Sequence, residues 1–421
     1  MGCAHFLQHD FDITVYEQNN YVGGHTNTIT VDEGGREVNI DTGFMVFNTL
    51  TYPNLLKLFA QLGAKYKNTD MSFSVQHRPT GLEYCGSGLD GLFGQRKNIF
   101  SPRHIKMLMQ IDRFNKESIK ILDDPKYMSY SMADYVKEMK FGEDFLYKYL
   151  APMSSALWST PTDVTLTFPA VALVRFFKNH GFLGLSTQYQ WLTVVNGSKS
   201  YRDLLVKPFE NRIRINTPVL NVERLENGKV MVHTKAGKTE FDRVILASHA
   251  DQSLAMLGNP TEQEKRMLGK FGYQKNIATL HTDESVMPKI KRVWSSWNYV
   301  IDQDKQKKDL TPYTVYYMNK LQQVSDKVNY FVSINGEDKM NPGKVLKVIE
   351  YDHPVFTVEA MKAQPDLHRL NESGPVYFCG SYFKYGFHED ALTSSVDLCK
   401  RILGTEDLWS ARPLLQETAG Q

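Results

Sequence analysis

The fold is decided by residues 374–403 near the C-terminus, which read GPVYFCGSYFKYGFHEDALTSSVDLCKRIL. The apolar run 376–379 predicts a buried strand, and a loop that extends through Gly386 follows it. Apolar residues then recur at helical spacing from 392 to 403, so we expect a helix that begins near Asp390. The first turn of a helix presents unpaired backbone N–H groups and the positive end of the dipole. This stretch is therefore suited to hold an anion or an electron-rich carbonyl group.

The composition is that of an ordinary soluble globular protein. The chain has 421 residues, which is long for a single core and favours two domains. Its formal net charge of +2 gives no electrostatic case for binding nucleic acid. With 23 Phe and 22 Tyr the sequence is rich in aromatic residues, which fits a pocket for a planar or apolar ligand. Most of these aromatic side chains are nevertheless expected in the core.

The cysteines and the hydropathy pattern bear on compartment and membranes. Cys3, Cys85, Cys379 and Cys399 form no CxxC or other metal-ligand spacing, so we expect no metal site and a reducing, cytoplasmic environment. No apolar run reaches the ~18 residues that a membrane span needs, and we recognise no signal peptide. The sequence thus predicts no transmembrane segment and leaves peripheral membrane contact open.

The N-terminal residues resemble the second half of a βαβ unit. Residues 1–8 are apolar on one side and predict the end of a helix, and 12–17 predict a strand that ends in Glu17. An acid at this position in dinucleotide-binding folds accepts hydrogen bonds from the adenosine ribose, although a solvated strand-end glutamate would look the same. The strand and the G-x-G-x-x-G turn expected before this helix are not in the sequence. We expect either a truncated chain or an incomplete phosphate site.

A double glycine follows, in the stretch Tyr21-Val-Gly-Gly-His-Thr-Asn-Thr28. It leads into an alternating strand, and the Gly34-Gly35 pair then predicts a hairpin turn before a return strand at 37–41. Glycines at the mouth of a strand allow a ligand to approach the backbone closely, although a plain turn would need them too.

Taken together, these motifs resemble the flavin-containing amine oxidoreductase superfamily, whose members bind FAD. The similarity covers residues 1 to about 403, and it includes the stretches GGHTNT at 23–28, DTGFMVFN at 41–48, WSSWNY at 294–299 and GFHEDA at 386–391. Within the superfamily they are most similar to predicted NAD/FAD-binding oxidoreductases related to the region fused to plant cyclopropane-fatty-acid synthases. The resemblance implies an α/β fold of the amine oxidase type, with a Rossmann-like FAD-binding domain, N-terminally truncated, interleaved with an α+β substrate or cap domain.

The resemblance also implies domain boundaries. We expect a discontinuous FAD-binding domain at 1–50, 195–258 and 365–405, a substrate or cap domain at 51–194 and 259–364, and a tail at 406–421. Within the cap, helical patterns dominate 102–180, and four alternating segments between 277 and 335 predict a sheet with an aromatic face. Most of its aromatic residues are expected to be core.

Cofactor-binding residues follow from the resemblance, position by position. The implied set is Glu17, Gly23, Gly24, His25, Thr26, Val219, Gly380, Ser381, Gly386, Phe387, Asp390 and Ala391. Val219 would place its backbone against the adenine, and residues 386–392 would surround the flavin ring, where backbone N–H groups stabilise charge on the reduced ring.

Three positions depart from the family pattern. Ser381 follows Gly380 where an acidic residue usually binds the ribitol chain, and a serine hydroxyl can still form that hydrogen bond. His25 stands where many amine oxidases carry arginine, which predicts weaker phosphate neutralisation. Cys379 does not match the pattern for covalent flavin attachment, so we expect noncovalent FAD.

The acid/base residue and the substrate are less well defined. His388, His249 and His281 are candidates because a histidine near a flavin can accept a proton near neutral pH, and we select His388 as the catalytic candidate. We expect an FAD-dependent oxidoreductase that transfers a hydride from an organic substrate to flavin N5, and the fused synthases suggest a lipid acyl chain. A small amine is the alternative substrate. An FAD-poor pseudoenzyme or partner-binding protein is the alternative of another class.

Overall fold

The computed structural model describes residues 1–158, 162–184, 189–303 and 310–410. Short 3₁₀ turns and one π turn at Leu146–Leu150 connect many of its elements. The strands are β1 (Val15–Tyr16), β2 (Thr28–Asp32), β3 (Glu37–Asp41), β4 (Phe47–Asn48), β5 (Tyr66–Thr69), β6 (Phe73–His77), β7 (Leu82–Cys85), β8 (Trp191–Val194), β9 (Ile213–Arg214), β10 (Val219–Arg224), β11 (Val230–Thr234), β12 (Gly237–Phe241), β13 (Val244–Leu246), β14 (Gly272–His281), β15 (Trp297–Gln303), β16 (Leu310–Tyr317), β17 (Phe331–Ile334), β18 (Val345–Val355) and β19 (Val376–Phe378). The helices are α1 (Gly2–Leu7), α2 (Pro53–Leu62), α3 (Gly88–Leu92), α4 (Pro102–Glu117), α5 (Met132–Glu138), α6 (Glu143–Phe145), α7 (Ala151–Trp158), α8 (Thr162–Leu166), α9 (Ala170–Asn179), α10 (Lys199–Val206), α11 (Ala250–Met256), α12 (Glu262–Leu268), α13 (Met318–Leu321), α14 (Val358–Ala363) and α15 (His388–Leu403).

The parallel strands expected for a nucleotide-binding sheet form two separate ladders. β1 pairs with β9 and β13 pairs with β19, each in parallel, and no strand of the described residues pairs with both ladders. Side chains bring the two ladders together, because the Tyr16 ring lies 6.2 Å from the ring of Phe241, shortly before β13. The strand predicted at 12–17 is shorter than expected. Residues 11 and 12 are exposed, and only 15 and 16 have a paired neighbour.

The cap sheet has seven strands in the order β18-β14-β17-β16-β15-β6-β7. The four predicted segments between 277 and 335 are confirmed as strands β14 to β17. Most aromatic residues of this sheet were expected to be core, and Tyr299 and Tyr316 are buried, with 3% and 8% of their surface exposed. The eleven-residue strand β18 was not predicted. It lies at the edge of the sheet, where Pro354 is tolerated because one side of an edge strand needs no hydrogen-bond donor.

Helix α15 forms as its apolar spacing predicts, and most of its length is buried. Its Leu392, Val396 and Leu398 are buried, and α1 and α2 both pack against it. The Glu389 carboxylate accepts hydrogen bonds of 2.9 Å from the backbone N–H groups of Asn54 and Leu55. A carboxylate from α15 therefore caps the N-terminus of α2, where the helix dipole favours negative charge.

The predicted C-terminal tail is partly packed. Leu408 is fully buried, and the Trp409 ring lies edge-on to Phe6 at 5.1 Å. Residues 411–421 lie outside the described part of the chain. No helix in the described ranges is long and apolar enough to cross a membrane.

Candidate functional site

The double-glycine turn is built for close approach. Gly23 has φ +111°, and a Cβ placed there would lie 2.8 Å from Cδ of Arg202, so a larger residue would strain this turn. Gly24 has φ +56° and open space on its Cβ side. The Thr26 N–H closes the turn by donating to the Gly23 carbonyl at 2.9 Å. The turn thus leaves backbone open to a ligand at Gly24.

His25 lies against β18. Its ring stacks on Tyr351 with centroids 4.7 Å apart and lies 5.2 Å from the ring of His353. The Tyr351 hydroxyl is held by Asn27 at 3.0 Å and by Thr42 at 2.9 Å. The His25 Nε2 atom is buried and has no hydrogen-bond partner among the described residues. A buried polar atom without a partner is costly, so this atom is a candidate ligand donor.

A hydrogen-bonded chain links the glycine turn to the C-terminal helix. The Tyr201 hydroxyl lies 3.0 Å from the Thr26 hydroxyl and 2.5 Å from Nε2 of His388. The His388 ring also stacks on Phe44 with centroids 4.0 Å apart. Segments that are far apart in the sequence therefore meet at the first residue of α15.

The C-terminal loop brings the remaining predicted residues next to this point. Gly380 lies two residues after the end of β19, and a Cβ there would lie 2.6 Å from the Tyr382 ring. Gly386 has φ +88°, and a Cβ there would lie 2.9 Å from the Phe356 ring beyond the end of β18. The Phe387 ring stacks on Phe176 of α9 at 4.8 Å, so it packs against the cap. Ser381 is partly exposed beside this loop.

The N-terminus of α15 is already partly capped. Asp390 accepts hydrogen bonds from the backbone N–H groups of Phe387 at 2.9 Å and Tyr385 at 3.1 Å. Burial raises the pKa of its carboxyl group to about 6. The sequence predicts that backbone N–H groups of this loop face a ligand, whereas two of them bind the Asp390 side chain. Ala391 lies in the first turn of α15, where its carbonyl accepts from the Ser394 hydroxyl at 2.8 Å.

The site contains neutral histidines. Burial lowers the pKa of His25 to about 3 and that of His353 to about 4, and the nearby imidazole of His249 adds to both effects. Burial alone lowers the pKa of His388 to about 4, and it also lowers the pKa of His249. Near neutral pH these four rings carry no charge, so they can offer N–H donors without adding positive charge to the site.

The structure separates the three candidate acid/base histidines. His281 is fully buried in β14, where Nε2 lies 2.8 Å from the Ser333 hydroxyl and Nδ1 accepts from the Asp283 N–H. These contacts indicate a structural role in the cap sheet. His249 lies after β13 and stacks on Tyr273 at 4.2 Å. His388 lies within the site, with its Nε2 engaged by Tyr201, and its catalytic role remains a prediction.

Backbone hydrogen bonds bring together the residues expected to bind the adenosine. The Glu17 N–H donates to the Arg214 carbonyl, and the Glu17 carbonyl accepts from the Thr217 N–H, both at 2.9 Å. Val219 begins β10 two residues later and is partly buried. Glu17 and Val219 therefore lie near each other, as the resemblance implies, while their contacts to a cofactor remain predictions.

One residue in each of two quoted motifs has a structural role, while Thr42 and Phe44 of the motif at 41–48 contact the site. Asp41 is fully buried and accepts hydrogen bonds from Thr28, from the Ser198 N–H and hydroxyl, and from Gln322. Asn298 is also fully buried and bonds Ser74 together with backbone groups of its own sheet. These residues hold the hairpin and the seven-stranded sheet in place.

An apolar cleft adjoins the C-terminal loop. Its lining comes from α9 and the segment before it, from the region after β18 and from the loop itself: Phe168, Pro169, Ala172, Leu173, Phe356, Met361 and Tyr385. None of these side chains carries a formal charge. Phe356 joins the cleft to the site, because it also lies against Gly386.

The residues around the double-glycine turn fit FAD, and the expected pyrophosphate cradle fits it less completely. The unpaired buried Nε2 of His25 and the open backbone at Gly24 both suit a polar planar ligand. Cys379 is free, and its Sγ lies 3.7 Å from Sγ of Cys3. Among the residues described, no glycine-rich turn joins the two parallel ladders to form a pyrophosphate cradle.

Comparisons with known proteins agree with this arrangement. A family model described as flavin containing amine oxidoreductase matches residues 3–297. No curated protein matches the chain. Similar solved structures include wild-type putrescine oxidase bound to putrescine, with 13% identity, a TM-score of 0.62 and coverage of 96% of this chain and 95% of that one. Cyclohexylamine oxidase from Brevibacterium oxydans IH-35A has 14% identity, a TM-score of 0.64 and coverage of 96% and 97%. A fatty acid isomerase from P. acnes that produces CLA has 14% identity, a TM-score of 0.63 and coverage of 95% of each chain.

Proposed function

Because the chain belongs to the flavin-containing amine oxidoreductase family and is an FAD-dependent oxidoreductase, we propose that it oxidises a substrate with a long apolar chain. A lipid acyl chain is the best candidate. The cofactor is noncovalent FAD, which when bound supplies the hydride acceptor, N5. The uncharged lining beside Gly386 carries this proposal, and the cleft, which has room for little more than a water molecule, opens to admit the chain. An alkyl chain gains free energy by leaving water for such a surface, whereas an ammonium group there would lack a counter-charge.

The chain's own residues support the reaction in three ways. The cleft residues Phe168, Leu173 and Phe356 exclude water from the neighbourhood of the C-terminal loop. His25 offers a neutral ring with an unpaired nitrogen. His388 is neutral near pH 7 and its Nε2 is held by Tyr201, so this nitrogen can exchange a proton with the Tyr201 hydroxyl.

Anaerobic reduction of the bound flavin tests the proposal. Unsaturated and cyclopropane fatty acids should bleach the visible absorbance of the oxidised flavin, and putrescine and cyclohexylamine should not. Ala172→Trp should block the cleft and slow bleaching by fatty acids by about tenfold or more. Ala236→Trp, at an exposed turn, is the matched control. Bleaching by the amines alone would overturn the acyl assignment in favour of an amine oxidase, the reaction named for two of the similar structures.

The separation of the two parallel ladders favours a second candidate function for these 421 residues. In this alternative the protein binds FAD poorly and binds a partner instead. A pyrophosphate cradle supplies charge-assisted hydrogen bonds of about 1.5–3 kcal/mol each. If only the residues around the flavin ring contribute to binding and no pyrophosphate cradle does, riboflavin and FAD should bind with similar affinities in a fluorescence titration. A colourless, stably folded protein that binds neither flavin would establish this second candidate and overturn the first.

A further inference from the structure

The most exposed large apolar side chains of the described residues lie close together in the sequence. Phe100 is 88% exposed, Leu89 is 73% exposed and Met109 is 68% exposed. Single exposed apolar side chains are common on soluble proteins, whereas clusters of them mark interaction sites. All three fall within residues 88–109, in α3, the 3₁₀ turn Arg96–Phe100 and the first half of α4.

These three elements form one compact unit. Nε2 of His104 on α4 lies 3.0 Å from the Leu92 carbonyl at the end of α3. Ser101, directly after the 3₁₀ turn, caps α4 by accepting from the His104 N–H at 3.3 Å. On α4 the buried residues include His104 and Met107, and Met109 lies on the exposed face. The exposed apolar side chains are thus carried on a supported scaffold.

The same span is strongly basic. Residues 88–109 contain four basic residues and one acidic residue, so they carry more positive charge than the whole chain, whose net charge is +2. Arg96 pairs with Asp90 and Arg103 pairs with Asp144, both at the surface. Lys97 and Lys106 are exposed, and the structure gives neither an ion pair within the described residues. Two free ammonium groups therefore accompany the apolar side chains.

We propose that Leu89, Phe100, Met109, Lys97 and Lys106, together called the apolar-basic surface, dock the protein on an anionic lipid bilayer. Apolar side chains that enter the interface between basic residues are the pattern of peripheral membrane binding. Lysines add attraction to anionic headgroups and can extend their ammonium groups toward them. The charge favours an anionic bilayer over a second copy of the chain, because two copies would bring like charges together. This inference does not depend on the proposed substrate.

Vesicle co-sedimentation tests the surface. The full chain should bind vesicles of phosphatidylcholine and phosphatidylglycerol, bind pure phosphatidylcholine vesicles at least about tenfold more weakly, and lose binding as salt increases. Lys97→Glu/Lys106→Glu and Leu89→Ser/Phe100→Ser should each weaken partitioning by about tenfold or more. Both should leave the thermal unfolding midpoint unchanged, because all four side chains are exposed.

Matched controls come from β18 and a neighbouring loop, where the side chains are also exposed. Lys327→Glu/Lys347→Glu repeats the charge change, and Leu346→Ser/Val348→Ser repeats the apolar change. Controls that lose binding as strongly as the test variants would overturn the proposal, as would a wild-type chain that binds neither vesicle. Dimers that only the Leu89→Ser/Phe100→Ser variant loses, without vesicle binding, would instead assign the surface to self-association.

Discussion

Lowering the pH should destabilise this protein through the neutral histidines of its site, and His353 offers a clean test. The pKa of His353 is lowered to about 4 because burial and the neighbouring His249 disfavour the charged ring. A histidine whose pKa is lowered by folding does not destabilise the folded state when the pH is above the ordinary histidine pKa of about 6.5, because the ring is then neutral in both states. Stability is lost as the pH falls from there toward 4, because only the unfolded chain takes up the proton.

The magnitude follows from the two pKa values. At pH ~5.5 the unfolded imidazole is mostly protonated and the folded one is not, which lowers the free energy of unfolding by about 1.4 kcal/mol per histidine relative to pH ~7.5. The His353 ring keeps some solvent exposure, so this figure is an upper value for it. His25, with a pKa lowered to about 3, acts in the same direction. Asp390 opposes it, because a carboxyl group with a raised pKa stabilises the fold as the pH falls.

The assay is urea unfolding followed by tryptophan fluorescence at both pH values, on the wild type and two variants. His353→Gln removes the titrating ring and can still accept the hydrogen bond from Asn276, which lies 2.7 Å from Nδ1. It should lose about 1 kcal/mol less than the wild type between the two pH values. His368→Gln, at an exposed position, should follow the wild type. Equal losses in wild type and His353→Gln would refute the assignment of a neutral ring at this position.

Two further predictions concern single contacts. Glu389→Gln should lower the free energy of unfolding by about 2 kcal/mol, because one of the two backbone N–H groups that Glu389 caps then faces an amide N–H. Chemical denaturation measures this loss. The control Glu372→Gln, at an exposed position, should leave the free energy of unfolding unchanged. Tyr201→Phe removes the hydroxyl between Thr26 and His388. It should weaken flavin binding by about tenfold, measured by fluorescence titration, and retention of wild-type affinity would show that the hydrogen-bonded chain does not organise the site.

The parts of the fold that sequence predicts best are those whose local pattern and burial agree. The helix α15 and the hairpin of β2 and β3 have regular apolar spacing and paired turn glycines, and both form as expected. The glycines at 23, 24 and 386 have positive φ, which explains why glycine stands there. Local sequence carries this information directly.

The rest depends on contacts that local sequence does not contain. β18 has a proline near its end, which weakens the case for a strand, and only its position at the sheet edge makes that proline acceptable. That strand carries Tyr351 and His353, so both site residues were missed. Nothing in a one-dimensional pattern shows that the Tyr201 hydroxyl bridges Thr26 and His388.

The expected flavin end and the expected adenosine end of the site are held together by different means, and this decides how each responds to change. At the flavin end, side chains from distant segments meet, with Tyr201 linking Thr26 to His388 and β18 supporting His25. Buried side-chain networks of this kind fix geometry, because leaving one member unsatisfied is costly. At the adenosine end, Glu17 is placed by backbone hydrogen bonds beside a two-residue ladder. A short ladder without a second neighbour opens more readily than a packed network, so the ring end should be the better ordered half when the cofactor arrives.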